Sequence, residues 1–149
     1  MNIDDLIARR RKALGPTYSH FYKKPLYLVR GKGVWLFDTD GNKYLDCYNN
    51  VPSVGHCNPH VVEQISKQIA TLNTHTRYLH HAVVEYAEML ADTLPGDLSV
   101  CLFVCTGTEA NDLAYRIARA VTGNEGAICN WGAYHGNSTL VSELSPEFE

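Results

Sequence analysis

Residues 103–113 read FVCTGTEANDL, and this stretch changes character halfway along. Its first three residues are apolar and β-prone, whereas good helix formers follow from Glu109 onward. The turn between them, Thr106-Gly107-Thr108, combines a glycine with two hydroxyl groups. Because a helix N-terminus carries unpaired N–H groups and a partial positive charge, such a turn suits a phosphate. The spacing Thr106-x-x-Glu109 also matches a capping box, in which the side chains only satisfy the helix's own free donors.

Helical and strand-like patterns alternate in the second half of the chain. Apolar residues recur at helical spacing in segments 60–72, 82–94 and 108–121. The run SVCLFVC (99–105) is continuously apolar, as in a strand buried on both faces, and GAICNW (126–131) is a second strand-like run. This alternation predicts an α/β domain with a parallel sheet.

The first half of the chain is organised differently. Residues 1–14 have the pattern of a short amphipathic helix. Residues 25–46 alternate strand-like runs with turn residues, and Asp40-Gly41-Asn42 between VWLFD and KYLD predicts a hairpin. The loop YNNVPSVGHCNPH (48–60) has little apolar periodicity, and long irregular loops often carry function.

Composition and charge exclude several functional classes. The net charge of −3 argues against a basic face for nucleic acid, and no apolar run is long enough for a membrane helix. The opening MNIDDLIARRRKAL is too charged for a signal peptide. The five cysteines are odd in number and form no Cys-x-x-Cys pair, which indicates free thiols in the cytoplasm. Cys57-x-x-His60 has no matching second pair, so no metal site is predicted.

A second candidate feature follows the strand-like run GAICNW. Tyr134-His135-Gly136 comes shortly after it, and the carboxyl ends of parallel strands meet at one edge of a sheet. An aromatic ring there could cover the face of a flat ligand held at the Thr106-Gly107-Thr108 turn. Taken singly, Tyr134 is also typical of a half-buried rim tyrosine, and His135 of a hydrogen-bonded loop residue.

Together these residues resemble the class III aminotransferases of the fold-type I pyridoxal-phosphate enzymes. Four stretches carry the resemblance in the family's order: VRGKGVWLFDTDGNKYLD (29–46), NNVPSVGHCNPHVVEQISKQI (49–69), CTGTEANDLAYRIARA (105–120) and YHGNST (134–139). Within the family, NNVPSVGHCNP, NTHTRYLHH and TGTEANDLAYRIAR are most similar to the branch that contains ethanolamine-phosphate phospho-lyase and the alanine–glyoxylate-aminotransferase-2-like proteins.

The resemblance implies a fold and a domain plan. The chain is expected to be α/β, the N-terminal part of a fold-type I pyridoxal-phosphate-dependent transferase. Residues 1–58 would form an N-terminal segment with a β-hairpin that belongs to the small domain. Residues 59–149 would begin the αβα-layered large domain that binds the cofactor, and the chain is expected to stop before that domain is complete.

The resemblance also implies roles around a pyridoxal 5'-phosphate cofactor. The matching positions are Thr106, Gly107, Thr108, Glu109, Tyr134 and His135. The Gly107 backbone and the Thr108 hydroxyl match the groups that hold the cofactor phosphate, and Tyr134 matches the aromatic residue that stacks on the pyridine ring. His135 follows it in the family's aromatic-His-Gly triplet, and Glu109 matches an acid near the cofactor.

Two catalytic residues of the family have no match in this chain. The family's chemistry needs a lysine that forms the Schiff base and an aspartate that pairs with the pyridine nitrogen, both well downstream of the YHG motif. The lysines here all lie upstream of the phosphate-binding turn: Lys12, Lys23, Lys24, Lys32, Lys43 and Lys67. No catalytic residue is therefore assigned, and the chain alone is expected to be inactive.

The resemblance implies the substrates and partners of the intact protein. The expected activity is an aminotransferase that moves an amino group from an amine or amino acid to a keto acid; the alternative is a phospho-lyase acting on ethanolamine phosphate or a similar phospho-amine. Asn49, Asn50 and Val51 match a loop near the substrate entrance, and THTRYLHH (74–81) matches a region at the subunit interface of family homodimers. A different hypothesis is a non-catalytic fragment that binds only phosphate-bearing ligands or a partner chain.

Overall fold

Five helices and three strands lie in the part of the chain that the structure describes. The computed structural model describes residues 2–17, 20 and 22–146. In chain order the elements are α1 (Ile3–Leu14), β1 (Leu28–Lys32), β2 (Trp35–Asp38), β3 (Lys43–Leu45), α2 (Pro59–Thr71), α3 (His81–Ala91), α4 (Gly107–Thr122) and α5 (Thr139–Ser142). The chain divides into two units, Met1–Arg77 and Tyr78–Glu149. The domain boundary after residue 58 stays a prediction.

The Met1–Arg77 unit contains an antiparallel sheet with its strands in the order β1-β2-β3. Strands β2 and β3 form the hairpin that Asp40-Gly41-Asn42 predicts, with Phe37 opposite Lys43. Gly41 has a φ of +82°, a left-handed conformation that costs glycine little and other residues more. The predicted hairpin is therefore confirmed.

The carboxylate of Asp38 holds the hairpin turn together. It accepts hydrogen bonds from the backbone N–H groups of Asp40 (3.0 Å) and Asn42 (2.8 Å). It also accepts the side-chain amide of Asn42 at 2.9 Å and the hydroxyl of Tyr44 at 2.7 Å. The Asn42 amide and then the Tyr44 hydroxyl lower the pKa of Asp38 from 3.8 to about 2, because they favour the ionised carboxylate.

This pKa shift predicts that acid weakens the hairpin. A carboxylate whose pKa is lower in the folded state stabilises that state above its unfolded pKa, and the contribution is lost as the pH falls from 3.8 toward about 2. Amide-exchange protection of residues 35–45 in the full-length protein, corrected for intrinsic exchange rates, should fall across that interval. In the Asp38→Asn variant protection should start lower and lose this dependence on pH; an unchanged profile would contradict the assignment.

The helices follow the predicted periodicity, with one boundary that differs. Helices α1, α2 and α4 occupy the predicted segments, and Gly123 ends α4 in the left-handed conformation, with a φ of 69°. Helix α3 ends at Ala91 rather than at the predicted Leu94. The N–H groups of Thr93 and Leu94 instead donate to carbonyls three residues back, at 3.1 and 3.0 Å. The following proline disfavours helical backbone at Leu94, which explains the earlier end.

The two predicted strands of the parallel sheet, 99–105 and 126–131, are not formed. Both segments lack strand pairing, and within residues 78–146 no strand lies beside them. Val100 is 82% exposed, so the first run is not buried on both faces as predicted. A strand needs neighbours to pair its backbone N–H and C=O groups, and the sequence pattern reports only how apolar the segment is.

In the Tyr78–Glu149 unit an aromatic pair joins α3 to the apolar run 99–105. The ring of Phe103 stacks on Tyr86 of α3, with ring centroids 5.4 Å apart. Among the described residues, the side chains less than 2% exposed are Val141, in α5, and Ser145, just beyond it. Within the described residues, no helix is both long enough and apolar enough to cross a membrane.

Candidate functional site

The start of α4 is closed by a complete capping box. The Thr106 hydroxyl accepts the backbone N–H of Glu109 at 3.1 Å. In return, the Glu109 carboxylate accepts the backbone N–H groups of Cys105 at 2.7 Å and Thr106 at 3.0 Å. The Glu109 side chain therefore satisfies two backbone donors of the turn. Its negative charge lies at the helix N-terminus, where the partial positive charge of the helix stabilises it.

The capping box leaves the first two N–H groups of α4 available. The Thr106 hydroxyl accepts the backbone N–H of Glu109, and the Thr106 carbonyl accepts the backbone N–H of Ala110. No acceptor within the described residues contacts the N–H groups of Gly107 and Thr108. A Cβ built at Gly107 would meet no atom within 4 Å, so a ligand can approach this backbone closely. These donors fit a phosphate, because they are unpaired, adjacent and at the positive end of a 16-residue helix.

The loop that carries Tyr134 and His135 is bonded directly to α4. The Thr108 hydroxyl donates to the Asn137 side-chain carbonyl at 3.3 Å and lies 3.4 Å from the Asn137 backbone N–H, which donates to it. One turn further on, the Asn111 amide donates to the His135 carbonyl at 2.7 Å. The structure thus brings the two sequence features together, although the strands expected to align them are not formed.

Gly136 makes this close approach possible. Its φ is +136°, a region that residues with a side chain rarely adopt. A Cβ at this position would lie 2.7 Å from the Thr108 hydroxyl oxygen, 2.9 Å from the Thr108 Cα and 2.9 Å from a methyl carbon of Val141. The backbone of the Tyr134-His135-Gly136 segment therefore rests directly on the first turn of α4.

The predicted substrate-entrance residues lie in the Met1–Arg77 unit. Asn49 is fixed by Asp46, whose carboxylate accepts the Asn49 backbone N–H and side-chain amide, both at 2.9 Å. The same carboxylate lies 2.6 Å from Nε2 of His56. The Asn49 backbone N–H, followed by His56, holds the pKa of Asp46 well below its usual range. Val51 is 90% exposed, and the roles of Asn49, Asn50 and Val51 stay predictions.

Most of the chain matches the sequence model of one protein family. The sequence model of the class-III aminotransferases matches residues 17–145. The chain belongs to the class-III aminotransferase family. The predicted family is thereby confirmed.

Individual relatives agree with the predicted branch of the class-III aminotransferases. A Drosophila melanogaster protein named alanine–glyoxylate aminotransferase 2-like is 46% identical over 143 residues, which are 95% of this chain and 29% of the relative. The ethanolamine-phosphate phospho-lyase homolog 1 of Caenorhabditis elegans is 43% identical over 144 residues, 96% of this chain and 31% of the relative. The chain thus spans about a third of the length of these curated relatives.

A solved structure agrees with the fold as well. A phospholyase from Arthrobacter, in complex with phosphoethanolamine, has a TM-score of 0.91 and 51% sequence identity. The match covers 95% of this chain and 34% of that one. The predicted fold class, the N-terminal part of a fold-type I enzyme, is confirmed by this similarity, although the two strands of the parallel sheet are unpaired here.

Sequence reasoning missed several polar residues that hold the candidate site together. They are Asn111, Asp112, Asn137, Ser138 and Ser145. The Ser138 hydroxyl donates to the Asp112 carboxylate at 2.8 Å, and the Ser145 hydroxyl accepts the His135 N–H at 2.9 Å. One signal was available: Asn111 and Asp112 are poor helix formers near the start of a helix of otherwise good formers. Their partners lie 24 to 26 residues away in sequence, which no local pattern reports.

Proposed function

We propose that this chain contributes the phosphate-binding end of a pyridoxal 5'-phosphate (PLP) site to a larger class-III enzyme. The observation that supports this most directly is the pair of unpaired N–H groups at Gly107 and Thr108, beside open space and next to the loop that carries Tyr134. When bound, PLP supplies an electron sink that eases bond breaking at the amine-bearing carbon of the substrate.

In this proposal each part of the chain's site has a separate task. The N–H groups of Gly107 and Thr108 hold the phosphate at the positive end of α4. The Thr108 hydroxyl, whose bonds to Asn137 are long, can turn to donate to a phosphate oxygen. Tyr134 is 55% exposed, which leaves ring surface for stacking on the pyridine, and His135 supports it through its backbone. Glu109 acts as a cap, because its carboxylate is already bonded to Cys105 and Thr106.

Cofactor binding is tested with the full-length protein. Stripped of cofactor and titrated with PLP, it should bind saturably, and borohydride reduction followed by peptide mapping should locate the modified lysine. We expect that lysine outside residues 1–149, because no lysine follows Lys67 in this chain. Labelling of any of the six lysines of this chain, Lys12 to Lys67, would contradict the proposed arrangement.

The proposed reaction is transfer of an amino group from an amine or amino acid to a keto acid. A specific observation favours a second candidate, a phospho-lyase acting on ethanolamine phosphate or a similar phospho-amine: the high similarity to the Arthrobacter phospholyase. In that reaction phosphate leaves from the carbon next to the amine-bearing carbon, and no keto acid is consumed. Both reactions use the same site residues of this chain, so substrate assays must separate them.

We expect one of two clear outcomes when the full-length protein is assayed. An aminotransferase should convert a keto acid to its amino acid in the presence of an ω-amino acid donor, without releasing inorganic phosphate. A phospho-lyase should release inorganic phosphate from ethanolamine phosphate with no keto acid present. Phosphate release without keto-acid consumption would contradict the aminotransferase proposal and establish the second candidate. As the matched cofactor control, the same assays are run with pyridoxal, which lacks the phosphate, in place of PLP.

The proposed assembly is a homodimer in a reducing compartment, with the cytoplasm as the proposed location. All five cysteines are free thiols, which supports a reducing compartment. Leu79, within the segment 74–81 that the family resemblance places at a subunit interface, has a fully exposed side chain. An exposed leucine of this kind supports a partner surface, although single exposed apolar residues are common. Light scattering of the full-length protein tests the dimer.

A further inference from the structure

Ser145 is unusual in this unit because a polar side chain is almost completely buried. It is 1% exposed, as is the neighbouring apolar Val141. Its hydroxyl accepts the backbone N–H of His135 at 2.9 Å and donates to the Val141 carbonyl at 2.8 Å. The hydroxyl also lies 3.5 Å from the Gly136 carbonyl, so Ser145 links Val141 of α5 to the loop that carries Tyr134.

The peptide groups of His135 are held from two sides. Ser145 binds its N–H, while the Asn111 amide of α4 donates to its carbonyl at 2.7 Å. Gly136, the next residue, rests on Thr108 and Val141 so closely that no Cβ would fit. The backbone on the C-terminal side of Tyr134 is thus fixed by α4 and by Ser145 together. The direction in which the Tyr134 side chain leaves the backbone depends on these contacts.

We propose that Ser145 is a positioning residue, which holds Tyr134 in place for stacking on the cofactor ring by fixing the His135 N–H. This inference rests on the proposed function. Ser145 acts through Tyr134 and does not contact the cofactor itself, because its buried hydroxyl is hydrogen-bonded to groups of the protein. Loss of the hydroxyl would leave a part-buried N–H without an acceptor, and the loop would be expected to move so that this group finds a new partner.

The test is PLP affinity of the cofactor-free, full-length protein, measured by fluorescence titration. Ser145→Ala is expected to raise the dissociation constant about tenfold, the effect of losing one part-buried hydrogen bond that orders the ring-binding loop. Ser142→Ala is the matched control. Ser142 belongs to α5 and its hydroxyl also donates to a backbone carbonyl, that of Thr139 at 3.1 Å. This control is expected to leave the affinity within twofold of the wild type.

A double-mutant cycle separates positioning from general weakening of the fold. If Ser145 acts through Tyr134, Ser145→Ala should change PLP affinity less than twofold in a Tyr134→Ala background. Undiminished loss in that background would overturn the inference. Should Ser145→Ala fail to fold by circular dichroism, Ser145→Cys keeps a weaker donor and acceptor in a similar volume and should give intermediate affinity; wild-type affinity in this variant would also overturn it.

The outcomes distinguish this inference from the proposed function. Wild-type protein that binds no PLP overturns the proposed function, and the inference with it. Wild-type protein that binds PLP, with Ser145→Ala indistinguishable from Ser142→Ala, overturns the inference alone. A tenfold loss for Ser145→Ala that disappears in the Tyr134→Ala background supports both.

Discussion

Replacing Gly136 by alanine is expected to lower the unfolding free energy of the protein by about 3 kcal/mol. The new Cβ would lie 2.7 Å from the Thr108 hydroxyl oxygen and 2.9 Å from the Thr108 Cα, so the clash is partly with backbone and cannot be relieved by a rotamer change. The φ of +136° adds conformational strain for any residue with a side chain. The loop must therefore move away from α4, and PLP affinity should fall with stability.

Gly107→Ala provides the matched control for this prediction. Gly107 has helical backbone, and a Cβ there would meet no atom within 4 Å. In cofactor-free protein this variant should be as stable as the wild type or slightly more stable, because alanine is the better helix former. Thermal and denaturant unfolding of both variants provides the measurement. Equal stability of Gly136→Ala and the wild type would show that the loop does not rest on Thr108 as described.

Local chemistry was sufficient to predict the hairpin and the helices. Asp40-Gly41-Asn42 specifies a tight turn, and the turn geometry forms within a few residues whatever the rest of the chain does. The same holds for α4, where the cap at Thr106 and the left-handed glycine at Gly123 mark both ends. Helices satisfy their backbone groups internally, so their sequence signals survive even where few tertiary contacts support them.

The strands 99–105 and 126–131 show where this reasoning stops. An apolar run indicates that a segment is suited to burial between layers, but a strand exists only when another strand pairs with it. The described residues supply no such partner for either run. The interactions that would complete the sheet are non-local, and the sequence of the run alone contains no information about them.

The site was predictable only in part, because a sequence pattern reports local interactions and not those between segments distant in sequence. Thr106, Gly107, Thr108 and Glu109 could be assigned from one stretch, and the choice between a cap and a phosphate site stayed open at that stage. In the structure the cap takes the N–H groups of Glu109 and Ala110, and leaves those of Gly107 and Thr108 for the proposed phosphate. The hydrogen bonds that Thr108, Asn111 and Ser145 make to the loop could not be inferred, because each joins residues 10 to 29 positions apart in sequence.

Replacing Gly107 by aspartate is expected to weaken PLP binding about 100-fold while leaving the stability of the cofactor-free protein unchanged or slightly higher. Acidic residues in the first turn favour a helix, because they complement the partial positive charge of its N-terminus. The same carboxylate would lie within a few ångströms of a bound phosphate, and like charges at about 4 Å repel by about 4 kcal/mol near a protein surface. Stability and cofactor affinity should therefore change independently.

Gly107→Asn separates charge from bulk in this experiment. Asparagine has nearly the shape of aspartate without its charge, so it should cost PLP affinity only through the room it occupies, about tenfold or less. A large difference between the two variants, falling as salt screens the repulsion, would identify the start of α4 as a phosphate site. If neither substitution changes PLP affinity, the first turn of α4 serves only as a capped helix start, and the phosphate must bind elsewhere in the enzyme.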